Sequence, residues 1–238
     1  MRSSVSPAHS DLGRLRARLT QPWWHVVLGL LVVFAVSTRY LGWIGLVVGV
    51  LPSIVLAYAM TRSVYVYERG VESGSVFGKK RLRYVDVASF SYSLQAGRSG
   101  LQTNMRLVDD RRQVVDIKMA SLSSATDANL ETLRQHLSEL VAERYLAAIA
   151  AGRAVSWGDS LTISSKGICH ADGRVLVPVV RGVSYGLAAG RCIVFGPNEV
   201  KARLALQCSE FNFYPGYVAL ASLYGRAGVP LSQREDAV

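Results

Sequence analysis

The stretch "VSTRYLGWIG", residues 36–45, interrupts an otherwise apolar run at 23–60. How the interruption is read decides the fold. A bilayer core of about 30 Å takes roughly 20 helical residues. One helix over 23–60 would be almost twice too long, whereas two segments fit, about 23–37 and about 43–60. Arg39, Tyr40 and Gly42 then form the turn, because a charge at mid-bilayer is costly. Trp23, Trp24, Trp43 and Tyr58 fall near the segment ends, where amphipathic rings sit well. The expectation is a two-helix transmembrane hairpin over 22–61. A cleaved signal peptide ending at Ala57-Tyr58-Ala59 fits less well, since its apolar region should span only ~7–15 residues.

Lysine and arginine asymmetry sets the orientation. Arg2, Arg14, Arg16 and Arg18 precede the run against one acid, Asp11, and Arg62, Arg69 and a basic cluster at 79–83 follow it. The turn holds only Arg39. The positive-inside rule puts both termini in the cytoplasm, in a two-pass protein of the inner (plasma) membrane. Three widely spaced cysteines, Cys169, Cys192 and Cys208, suit reduced cytosolic thiols better than a disulfide framework.

Composition agrees with this reading. The chain is 50% hydrophobic and only 18% charged, which suits a membrane segment joined to one or two small domains. The formal charge of +10 suits nucleic acid or an anionic bilayer surface. The apolar run favours the bilayer, and no nucleic-acid partner is expected. Gly45, Gly49, Ser53 and Ala57 recur every fourth residue, so a second helix can approach that face closely. Either the first segment of the hairpin or a second copy of the chain fills it.

After residue 61 the pattern alternates with period two. "VYVYERGVESGSVFGKKRLRYVDVASFSYSL" reads as short strands broken by glycine turns, and "MRLVDDRRQVVDIKM" as two strands about a charged turn. From Asp127 the period becomes helical, with Leu130, Leu133, Leu137, Leu140, Val141 and Leu146 in one stripe, a cap at Thr126 or Asp127 and Gly152 at the end. The pattern then restarts. Arg69-Gly70-Val71 matches Lys166-Gly167-Ile168, "RLRYVDVASFSY" matches "RVLVPVVRGVSY", and "LQAGR" matches "LAAGR", at offsets of about 93 to 97 residues. A second, shorter helix is expected over about 215–224, with Tyr217, Leu220 and Leu223 or Tyr224 facing inward.

This order resembles that of bacterial membrane-anchored proteins with tandem pleckstrin-homology-like (PH-like) domains. Tyr84-Val85-Asp86-Val87 is similar to their aromatic–hydrophobic–acidic strand signature; the second copy departs from it at Val177-Pro178-Val179-Val180, which has no acid. The resemblance implies an α+β protein, each unit a roughly seven-stranded barrel or sandwich closed by a C-terminal helix, binding lipids or proteins. The expected organisation is a basic tail at 1–21, the hairpin at 22–61, PH-like units at 62–152 and 153–228, and a tail at 229–238.

Lys79, Lys80, Arg81 and Arg83 are the candidates for anionic lipid headgroups, against the plainer reading of a solvated strand face. "NFYPGY" is the most aromatic short segment, so Phe211, Phe213 and Tyr214 are candidates for a partner surface, against rings that simply plug a barrel. Cys169-His170 lacks the four compactly spaced ligands that a zinc site needs. Asp86 and Asp116 are strand acids with no evident partner. Without a phosphate loop, dinucleotide fingerprint or nucleophile elbow, no catalytic residue, cofactor or metal is expected, and the chain is not read as an enzyme. The functional expectation is a non-catalytic, membrane-anchored scaffold or regulator that binds a protein partner, with possible contact to anionic lipid. The alternative is a structural or accessory subunit of a larger membrane complex, packed through its hairpin.

Overall fold

The structure, a computed structural model, describes residues 11–20, 32, 35, 36, 39, 40, 63–75, 78–97, 100–121, 127–178, 183–188, 191–195, 202–227 and 231–233. The chain divides into two compact units, Met1–Arg83 and Tyr84–Val238.

The first unit holds an antiparallel sheet in the order β1 (Leu15–Thr20), β2 (Ser63–Tyr67), β3 (Gly70–Ser75) and β4 (Gly78–Arg83). Strand β1 lies inside the segment read from sequence as a basic tail. Its Leu19 is buried, while Arg16 pairs with Glu68 at 3.6 Å and the Arg18 guanidinium lies 5.4 Å from the centre of the Tyr65 ring. Thr20 stands opposite Ser63 in the sheet, so the chain on either side of the apolar run meets at neighbouring strand ends. Gly70, which opens β3 after Glu68-Arg69, lies where β4 comes closest. A Cβ there would lie 2.5 Å from the Leu82 carbonyl oxygen.

The expected membrane hairpin is corrected. Among the described residues no helix is long and apolar enough to cross a membrane, and the fold is dominated by antiparallel sheet. The two helices with full bounds belong to the second unit. Of the expected hairpin at 22–61, only Val32, Ala35, Val36, Arg39 and Tyr40 are described; all five are helical, so Arg39 and Tyr40 do not form the expected turn. The two-pass inner-membrane location rested on the hairpin and is corrected with it. Its orientation argument also counted arginines 16 and 18, which are the outward positions of a strand. Gly45, Gly49, Ser53 and Ala57 lie outside the described residues.

The second unit begins with a 3-10 turn at Tyr84–Asp86, then a sheet of β5 (Val87–Gly97), β6 (Gly100–Asp109) and β7 (Val114–Ser121), followed by helix α1 (Ala128–Ala150). Asp127 caps α1 by accepting from the Asn129 N–H at 2.8 Å, and Gly152 ends it at a φ of +79°. The buried stripe of α1 is Leu130, Leu133, Leu137, Val141 and Ile149, with Ser138 and Ala142 beside it; Leu140 and Leu146 are only partly buried. Asp116 pairs with Arg106 across the β6–β7 ladder at 3.4 Å.

A second four-stranded antiparallel sheet follows, β8 (Val155–Trp157), β9 (Leu161–Ser164), β10 (Gly167–His170) and β11 (Val175–Pro178). After it come β12 (Val183–Ala188), β13 (Arg191–Phe195) and β14 (Ala202–Gln207), then helix α2 (Phe213–Arg226) and a short strand β15 (Leu231–Gln233) that runs parallel to β12. Trp157, Ile163, Ile168, Val177, Val194, Leu220 and Tyr224 form one buried cluster here. Helix α2 packs against α1.

The chain thus runs twice through four antiparallel strands, three antiparallel strands and a helix, and no described sheet spans both runs. The segments matched in sequence fall at equivalent places. Gly70 opens β3 as Gly167 opens β10, and Ser91-Tyr92 lies on β5 as Ser184-Tyr185 lies on β12.

Candidate functional site

Helix α2 starts two residues before Pro215, the position that suggested its start. Asn212 precedes it in a left-handed conformation, φ +58°. That conformation is uncommon outside glycine and is tolerated best by asparagine. It lets Asn212 bond the edge of β5 twice: its Oδ1 accepts from the Phe90 N–H at 3.1 Å, and its own N–H donates to the Phe90 carbonyl at 2.8 Å. The start of α2 is thereby fixed beside β5.

This junction carries a run of rings. Trp157 is fully buried and donates from Nε1 to the Phe213 carbonyl at 3.0 Å. Phe213 stacks between Trp157 and Tyr217, with centroids 6.2 and 6.3 Å away, and meets Tyr214 edge-on at 5.1 Å. Tyr214 meets Tyr92 of β5 edge-on at 5.7 Å. The Arg134 guanidinium of α1 ends the series, 4.3 Å from the Tyr214 centroid and 5.8 Å from that of Tyr92. Such stacking is favoured by the negative face of a phenol ring.

Glu131, one turn earlier on α1, holds Arg134 by an ion pair and accepts from its Nε at 3.0 Å. The Tyr92 hydroxyl donates to Glu131 at 3.5 Å. Arg134 therefore sits in one orientation, with a fifth of its side chain still open to solvent.

These groups line a cleft of about 560 Å³. Ser93, Leu94 and Gln95 of β5 line it, with Arg191 of β13, Gln207 at the end of β14, Cys208 and Ser209 just after it, and Phe213, Tyr214 and Tyr217 of α2. Arg191 is exposed and makes no ion pair among the described residues.

The titratable groups are displaced from neutrality. Burial pushes the Tyr92 hydroxyl up to about 12, helped by the Glu131 charge, and burial pushes Tyr214 up to about 12. Burial also raises the Cys208 thiol. Arg134 is raised despite its burial, because the bond to Glu131 and its charge outweigh the desolvation. Each of these shifts carries its group further from pH 7.

Of the expected partner-surface residues, Phe213 is buried beneath the cleft, Tyr214 is half-buried on its wall, and Phe211 is half-buried outside its lining. Sequence reading did not single out Arg134, and it met Arg191 only as the end of a repeat match. The one available signal for Arg134 was Glu131 at i−3, a helix-surface pair.

The basic cluster lies in the first unit, on β4. Glu72 of β3 is 1% exposed, and its carboxylate accepts from Arg81 Nε at 2.6 Å and from Lys79 Nζ at 3.2 Å. Lys80 and Arg83 are exposed on β4. Burial raises the Glu72 pKa, but the bonds and charges of Arg81 and Lys79 outweigh it and hold the carboxyl below its ordinary 4.5. Its stabilisation is therefore complete above 4.5 and is lost as pH falls through the depressed value. Melting temperature followed from about pH 6 down to about pH 3 should fall in the acid range, and Glu72→Gln should flatten that fall.

Cys169 and Cys192 are buried and free, and burial pushes the Cys192 thiol up to about 12. His170 lies at the end of β10, and among the described residues no group of three or more His, Cys, Asp and Glu is placed to hold a metal ion. No protein-family model matches the chain, and no curated protein matches it.

Proposed function

We propose that this chain is a non-catalytic scaffold or regulatory protein of the PH-like type, and that the tyrosine–arginine cleft is the surface on which it takes a protein partner. The observation that carries this reading is Arg134. Its guanidinium is held by Glu131, laid on Tyr214 and still open to the cleft. A cation ordered before binding loses little freedom on contact, and arginine and tyrosine, with tryptophan, are the residues enriched at interface hot spots. The twofold order of four strands, three strands and a helix supports the PH-like resemblance.

A photo-reactive amino acid at Gln95, exposed on the cleft wall, tests the reading in cells. It should give a discrete cross-linked protein, and the same group at Glu143, exposed on α1 outside the cleft lining, should not. Equal cross-linking from both positions, or none from Gln95, contradicts it.

A further inference from the structure

The lining of the cleft holds two arginines and no acid. Arg134 is already matched, since its Nε donates to both carboxylate oxygens of Glu131 at 3.0 Å. Arg191 makes no ion pair among the described residues, and it stands directly opposite Gln207 in the β13–β14 ladder. Opposed residues share one face of a sheet, with Cβ atoms about 5 Å apart. One step along, Cys192 and Leu206 are opposed and buried. Arg191 and Gln207 therefore project from the outer face, and both are exposed. Glu210 lies outside the lining, and its two oxygens accept from the N–H groups of Gln207 and Asp159 at 2.9 and 3.2 Å.

A guanidinium beside a primary amide is a set of N–H donors. A carboxylate answers it, with one oxygen for Arg191 and the other for the Gln207 amide. Charge sets the number. The lining has one unmatched cation, which takes one negative charge, whereas a phosphate monoester carries about −1.5 to −2. Leu94 is exposed at the same cleft, and the rings of Tyr214 and Tyr217 are half-buried in it. An aromatic side chain laid against them takes apolar surface out of water. The volume of about 560 Å³ is that of a site for one small molecule, which is what two adjacent side chains amount to.

We propose that the partner protein anchors itself here by one acidic side chain, its carboxylate on Arg191 and Gln207, and an aromatic neighbour against Leu94, Tyr214 and Tyr217. This rests on the reading of the cleft as the partner surface and deepens it by naming the anchor. Arg134 keeps its place under Glu131 and supplies a fixed wall, while Arg191 makes the new ion pair. The anchor needs only side chains that are exposed or half-buried at the cleft.

The probe is acetyl-Phe-Glu-Phe-amide, titrated into the full chain. Calorimetry reads its binding, and the rate at which maleimide labels Cys208, which lines the cleft, reads its place. The peptide should bind and slow that labelling. Its glutamine counterpart should bind about tenfold more weakly or worse, since a hydrogen bond between charged groups is strong. Acetyl-Gly-Glu-Gly-amide should also bind more weakly, because it lacks the rings. Arg191→Glu should lose the glutamate peptide and take acetyl-Phe-Lys-Phe-amide instead, an exchange that also shows the variant to be folded. If that variant fails to fold, the glutamate and glutamine peptides on the unaltered chain still decide. Equal binding of those two, tighter binding of a phosphoserine counterpart, unchanged labelling of Cys208, or no binding at all overturns the inference. Cross-linking from Gln95 uses no peptide, so it alone judges the underlying reading. A discrete cross-link without an acidic anchor keeps the partner surface and discards the anchor.

Discussion

Trp157→Ala is expected to destabilise the second unit by about 3–5 kcal/mol, the cost of emptying a large aromatic site in a packed core. Trp157 is fully buried, stacks on Phe213 and donates to the Phe213 carbonyl at 3.0 Å. Truncation leaves a cavity that the neighbours cannot close, because Gly216 of α2 already lies against the indole ring. It also removes the indole hydrogen bond to the Phe213 carbonyl, which adds to the loss. Small domains hold roughly 5–15 kcal/mol in all, so the variant should lie near its unfolding threshold at ambient temperature. Trp157→Phe keeps most of the packing and loses the donor, so its cost should be the smaller, about 1–3 kcal/mol. Denaturant unfolding followed by circular dichroism ranks the two. An unchanged midpoint for the alanine variant would contradict the packing described.

Leu137→Ala should cost about 2–5 kcal/mol. Leu137 is fully buried in the middle of the α1 stripe, one turn from both Leu133 and Val141. Arg134→Ala removes a partly exposed ion pair and its stacking on Tyr214. Exposed pairs and cation–π contacts are each worth about 1 kcal/mol or less, so this change should cost clearly less stability while damaging the cleft. Thermal melts of the two variants side by side separate these contributions. Equal destabilisation would mean that Arg134 is a core residue rather than an ordered surface one.

Much of the fold was legible because its elements repeat a simple period. The stripe on α1 could be read from leucines three and four apart, and Asp127 and Gly152 bounded it by ordinary capping chemistry. Strand β1 was misread because Leu15, Ala17 and Leu19 alternate with arginines that also satisfied a charge-asymmetry argument. The hairpin was expected from hydropathy and length alone, which measure how apolar a segment is and not what packs on it. The cleft was illegible for another reason. Its residues come from β5, α1, β13, the turn after β14 and the start of α2. "NFYPGY" marked the aromatic base, but only the left-handed turn at Asn212 brings it to Tyr92 and Arg134, and one asparagine gives no periodic signal.

The cysteines offer the most direct test of the cleft as the partner surface. Cys208 is half-buried and lines it, whereas Cys169 and Cys192 are buried and do not line it. A bulky maleimide should label Cys208 first, and slowly, because burial raises its thiol. Cross-linking from Gln95 should disappear once Cys208 carries the bulky group and should persist when Cys208→Ser is treated in the same way. Undiminished cross-linking from the labelled protein would contradict the account.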